Sequence, residues 1–182
     1  MTHKIIPCSE EELKSFRPKE HSDKWPHYFY NIAQAVATKS PCLSRKIGAV
    51  LVRDKVVIAT GYNGPPRNVS HCSGDRCPRQ LAGFQSGEGL YLCPAVHAEQ
   101  NVIASAAKNG MPTDGATIYL TCEIPCKVCL GLLIDAGIKE IFVAESSWYD
   151  ELSIRIVKQA GVFIYHYPWR AAQAPEIHSD LR

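Results

Sequence analysis

This 182-residue sequence has neither a strong charge of one sign nor a long apolar run. Its 20 Lys and Arg stand against 18 Asp and Glu, a net charge of +2. A protein that grips nucleic acid electrostatically presents a basic stripe, so this balance argues against a nucleic-acid polymer as partner. The longest apolar runs, such as Ile47 to Val52, fall far short of the ~20 residues of a membrane helix, and no membrane association is expected. The N-terminal Met1 to Pro7 is followed by Glu10-Glu11-Glu12, which does not read as a secretory signal. Internal repeats and low-complexity tracts are also missing.

The hydrophobic share of 46% is enough for one globular domain with a single core. Eight cysteines without an export signal speak against a disulfide framework. They speak for metal or catalytic use in a reducing, cytoplasmic setting, the host cytoplasm if the chain is viral. Residues 1–24 read as a poorly ordered polar arm, 25–170 as the domain and 171–182 as a tail. Apolar positions at helical spacing predict a helix from Trp25 to Lys39. Ile47–Val52 and Val56–Tyr62 flank Asp54-Lys55 and predict a hairpin. Residues 64–94 form a Cys-, Gly- and Pro-rich insertion without period, and a loop of that length is more often functional or tied down. Helices are then expected at 95–109, 126–136 and 151–160, alternating with strands at 116–121, 139–144 and 162–167. That alternation predicts a three-layer α/β/α sandwich on a five-stranded mixed sheet, its last three strands parallel.

Chemistry concentrates in two short motifs, His97-Ala98-Glu99 and Pro125-Cys126-Lys127-Val128-Cys129. One imidazole and two thiolates hold Zn²⁺ tetrahedrally and leave a fourth position for water. The Glu99 carboxylate is not needed as a ligand and can handle protons beside that water. The motifs fall at two helix N-termini, whose positive ends favour thiolates. A purely structural zinc site would need a fourth protein ligand and would leave Glu99 without a role. The order His-x-Glu then Pro-Cys-x-x-Cys is the established pattern of zinc nucleobase deaminases.

With Gly61-Tyr62-Asn63-Gly64 and His97-Ala98-Glu99-Gln100-Asn101, the chain resembles the cytidine deaminase superfamily, within it the deoxycytidylate (dCMP) deaminases of phage and bacterial type. The resemblance spans residues 25–167. It implies hydrolysis of dCMP to dUMP and ammonia, supplying thymidylate synthesis, with His97, Cys126 and Cys129 on the catalytic zinc and Glu99 as proton shuttle. It also implies substrate contacts from Asn63, Ala98 and Tyr149. Asn-Gly is also a common hairpin turn, and Tyr149 reads equally as a surface aromatic. A nucleotide monoester needs a cation, for which Arg45 and Lys46 are candidates, a solvated basic pair being the alternative. The competing reading is a deaminase acting on tRNA or single-stranded DNA, for which Tyr165 to Arg170 is the one aromatic-basic cluster.

Some relatives of this type carry a second, structural zinc. The matching positions here are Cys42 and Cys72, with Cys77 and Cys93 as the remaining ligands, His71 as a substitute, or free thiols instead. Cys8 and Cys122 read as ordinary residues. The resemblance further implies a homo-oligomer, a hexamer, activated by dCTP and inhibited by dTTP with Mg²⁺. Gly64, Arg67 and Lys108 are the candidate effector contacts, against a rigid hairpin end that binds nothing.

Overall fold

The computed structural model describes residues 19–20 (backbone), 24–72, 77–85, 88–148 and 150–166. In chain order these form β1 (Lys19–Glu20), α1 (Trp25–Ala37), β2 (Gly48–Arg53), β3 (Val56–Tyr62) and α2 (Pro78–Leu81). A 3₁₀ turn (Leu90–Leu92), α3 (Ala98–Lys108), β4 (Thr117–Leu120), α4 (Lys127–Asp135), β5 (Glu140–Val143), α5 (Glu151–Ala160) and β6 (Phe163–His166) follow.

The strands lie side by side in the order β1-β6-β5-β4-β2-β3. β4, β5 and β6 run parallel, as expected from their helical crossovers. β2 is antiparallel to both β3 and β4. Asp54 and Lys55, both at positive φ, turn the β2–β3 hairpin with the twist that tight hairpins prefer. The five expected strands thus form a mixed sheet. Part of the N-terminal arm adds to it, because Lys19 and Glu20 pair in parallel with Tyr165 and His166 along the open edge of β6. Apart from Lys24, the rest of that arm lies outside the described residues, as does the C-terminal tail.

Side chains alternate across the sheet, so each strand from β2 to β6 feeds two cores. Ala49, Leu51, Ile118, Leu120, Ile141, Val143 and Ile164 pack with Val102, Leu130, Leu133 and Val157 of α3, α4 and α5. Val50, Val52, Tyr119 and Phe142 pack on the opposite face with Phe29 and Ala33 of α1. Both faces are covered, which is why the strands read as continuous apolar runs. Tyr119, Phe142 and Tyr165 stack in a row at ring separations of 4.7 Å. Two glycines let helices approach the hairpin at backbone distance: a Cβ on Gly48 would strike the Ala33 carbonyl of α1, and one on Gly61 the Val102 backbone of α3.

Boundaries differ from the sequence reading where tertiary bonds intervene. α3 begins at Ala98 rather than Ala95 because Val96 exchanges both backbone hydrogen bonds with Gly64, at 2.8 and 3.1 Å. That pairing holds the segment extended. The insertion, expected without regular structure, contains α2 and the 3₁₀ turn. Among the described residues, no helix is long and apolar enough to cross a membrane.

Candidate active site

His97 and Cys126 occupy equivalent places, each the extended residue that caps a helix, α3 and α4 respectively. Gln100 accepts from the His97 amide at 3.2 Å and fixes that cap. The Asn101 side chain donates to the Tyr62 carbonyl at 2.8 Å, fastening α3 to the end of β3. At α4, the Asp150 carboxylate accepts from the amides of Ser153 and Lys127, both at 2.9 Å, so one side chain caps α5 and the metal-motif helix together. Ser153 also donates to the Pro125 carbonyl at 3.1 Å.

Among the described residues, His97, Cys126 and Cys129 form the grouping of three donor atoms within metal-binding reach of one another. His97 Nδ1 lies 3.8 Å from Cys126 Sγ and 3.4 Å from Cys129 Sγ. A tetrahedral Zn²⁺ at ordinary bond lengths requires S···N separations of about 3.5 Å, so the donor set fits that ion without rearrangement. The Cys126 thiol is lowered to about 4 by its hydrogen bond from Cys129 and by His97, against the opposing effect of burial. Cys129 is displaced upward, because its proton is shared with Cys126 and its surroundings are buried. The pair therefore yields its first proton readily.

Glu99, on the first turn of α3, is 4% exposed. Burial raises its pKa, with its own backbone amide and His97 pulling the other way. A carboxyl moved toward neutrality in a cavity beside three metal donors is suited to exchanging protons. One cavity gathers His97, Glu99 and Cys126 with Asn63, Arg45 and Glu123.

The cavity wall departs from the sequence reading in detail. Asn63 is buried and does not form the hairpin turn. Its Oδ1 accepts from Ser40 Oγ at 2.7 Å and the Ile47 amide at 2.8 Å, and its Nδ2 donates to the Arg45 carbonyl at 2.8 Å. Three of its four hydrogen-bonding valences thus hold the approach to β2, leaving one N–H. Arg45 borders the cavity, but its guanidinium is bound by both Glu123 oxygens at 2.7 and 2.5 Å. Lys46 is exposed. Ala98 is buried in the wall, and Tyr149 lies outside the described residues. Gly64 pairs with Val96, and Arg67 is exposed on the following loop. Lys108 ends α3, ten residues beyond Ala98, or about 15 Å along the axis.

Cys42, Cys72, Cys77 and Cys93 share one neighbourhood: burial raises the Cys72 thiol, and the thiols of Cys93, Cys77 and Cys42 add to that effect. They do not form a second ready-made donor grouping among the described residues. Cys122 is buried and lines the cavity, and burial pushes its thiol well up. The sequence reading missed Glu123, Asp150 and Arg79. Arg79 carried the clearest signal, a cation directly after Cys77-Pro78 in an insertion rich in metal-binding residue types.

Two caps place two thiols and one imidazole where they could hold a zinc ion, with a buried carboxyl beside them. The family model for the cytidine and deoxycytidylate deaminase zinc-binding region matches residues 23–145, and the chain belongs to that family. The deoxycytidylate deaminase of Saccharomyces cerevisiae is 36% identical over 166 residues, covering 90% of this chain and 50% of that protein. The deoxycytidylate deaminase of Mycobacterium phage D29 is 40% identical over 128 residues, covering 68% of this chain and 96% of the phage protein. The chain spans about half the length of the yeast relatives it matches. The crystal structure of dCMP deaminase from cyanophage S-TIM5 in complex with dCMP and dUMP aligns with a TM-score of 0.64 at 23% identity. It covers 81% of this chain and 99% of that one, and the likeness establishes the shared fold.

Proposed function

We propose that this chain hydrolyses dCMP to dUMP and ammonia. The observation that carries the proposal is the meeting of His97, Cys126 and Cys129 with buried Glu99 in one cavity, in a chain whose relatives are named deoxycytidylate deaminases. A zinc ion held by these three donors would supply the Lewis acidity that makes water a nucleophile near neutral pH. Glu99 is placed to take a proton from the attacking water and deliver it to N3 of the pyrimidine, which makes C4 electrophilic. After the water oxygen adds at C4, Glu99 takes the remaining C4–OH proton and passes it to the departing amine, so that the C4 carbonyl forms as the C4–N bond breaks and ammonia leaves. Ala98 and the remaining Asn63 N–H line the substrate's side of the cavity. Tyr149 is assigned to the substrate by resemblance.

Cys42, Cys72, Cys77 and Cys93 are proposed to hold a second, structural zinc that ties the insertion to the domain. Regulation by dCTP and dTTP with Mg²⁺, in a hexamer of the cytoplasm, completes the reading. The Gly64–Val96 pairing supports it, because an effector bound at Gly64 and Arg67 would act on the segment that carries His97. Lys108, at the far end of α3, would join such a site from another subunit.

Ammonia release measured in parallel from dCMP, dCTP, deoxycytidine and CMP tests the substrate. dCMP should be preferred, and equal turnover of all four would overturn the assignment. Rate against dCMP should be sigmoidal, sharpened by dTTP and made hyperbolic by dCTP. Hyperbolic kinetics indifferent to both nucleotides would remove the regulatory part.

A further inference from the structure

Arg79 is 8% exposed, yet it has no carboxylate partner among the described residues. One guanidinium nitrogen donates to the Glu88 carbonyl at 2.6 Å, while Nε is buried with no acceptor. Leaving a buried donor of a charged group unpaired is costly, because its lost hydration is not repaid. Arg79 nonetheless lines the same cavity as His97, Glu99 and Cys126. The other guanidinium on that wall, Arg45, is already neutralised by Glu123. Among the described residues the cavity therefore contains one buried cation with an unspent donor, and α2 of the insertion brings it there rather than the sheet.

We propose that Arg79 is the residue that receives the 5′-phosphate of the nucleotide and so sets the preference for a monophosphate over a nucleoside. This rests on the dCMP reading above. A guanidinium edge offers two parallel N–H donors to a phosphate, and the Nε side is the one left without an acceptor here. The competing acceptor is the Cys77 thiol two residues away, which burial raises and which the amides of Gln80 and Arg79, with the Arg79 guanidinium, bring below its ordinary value. If Arg79 served that thiol alone, it would act on the insertion's metal and not on the substrate.

The test compares wild type, Arg79→Ala and Arg79→Lys on dCMP and on deoxycytidine, with zinc content measured in each. Arg79→Ala should lower kcat/KM for dCMP by about ten- to a hundredfold, the range of a hydrogen-bonded charge contact. Turnover of deoxycytidine should stay the same, so the ratio between the two substrates collapses. Added guanidinium should restore dCMP turnover in the Ala variant, and Lys should recover part of it. Equal losses on both substrates, or an unchanged ratio with zinc lost, would overturn the proposal. Calorimetric titration with inorganic phosphate gives a readout independent of turnover: wild type should bind it and Arg79→Ala should not. If wild type binds phosphate through Arg79 but deaminates no dCMP, the substrate assignment fails while the anion site stands. If wild type deaminates dCMP and Arg79→Ala binds phosphate as well as wild type, the anion site fails instead.

Discussion

At the scale of single residues, the centre separates groups that hold from groups that react. Glu99 is not among the three metal donors, so Glu99→Ala should retain zinc and fold while turnover falls about 10²- to 10⁴-fold, the usual weight of a positioned acid–base. Activity near wild type in that variant, read by ammonia release, would refute the proton-shuttle role. Glu123 does a different task. Burial works to raise its carboxyl, but the hydrogen bonds from Arg45 outweigh it, and its pKa lies below the ordinary 4.5. A carboxyl depressed by folding stabilises the fold above its unfolded pKa and loses that contribution as pH falls through the folded value. Glu123→Gln should therefore cost about 1 kcal/mol at neutral pH, kept small by the partial exposure of Arg45. The difference in melting temperature between the two proteins should shrink as pH falls below the ordinary carboxylate range and vanish once pH is below the depressed folded value. A gap that persists in acid would mean the pair contributes by shape and not by charge.

At the scale of elements, the site is assembled by how closely helices lie on the hairpin. Helical period alone located α3 and α4, and the motifs at their starts put the metal donors at helix N-termini. Where each helix begins was decided elsewhere: the Gly64–Val96 exchange trims α3, and Asp150, from the segment after β5, caps α4. Those partners are distant in sequence and have no period to betray them. Gly61 is where β3 meets α3, and a methyl group there would run into the Val102 backbone and the Ala98 carbonyl. Backbone cannot step aside as a flexible side chain can, so Gly61→Ala should destabilise by about 1–3 kcal/mol in urea unfolding. It should also weaken zinc retention, since α3 carries His97. An unchanged midpoint would show that helix and hairpin slide apart without cost.

For the whole molecule, the insertion is the part whose order the core does not supply. If its four cysteines bind metal, the protein should contain two zincs per chain. Cys77→Ser should reduce that to one and lower the melting temperature, with kcat on dCMP retained. A stoichiometry of one in fully active wild type would exclude the second site. Chelation should act in two stages, activity and thermal stability being lost separately, because the two sites differ in what they hold together.

The sequence alone determined the chemistry and the layering. The three metal donors and the proposed proton shuttle sit in two motifs of a few residues, each read by a single helix start. The βα alternation leaves one sensible way to lay down parallel strands. The tertiary structure decided what surrounds that chemistry. Arg45 is spent on Glu123, 78 residues away, and Asn63 is spent largely on the chain before β2. Arg79 of the insertion enters the cavity instead. The physical reason is range. Metal-donor spacing and helix capping are local and leave their mark within a few positions, whereas the pairing of a buried charge depends on which segments the sheet order brings face to face.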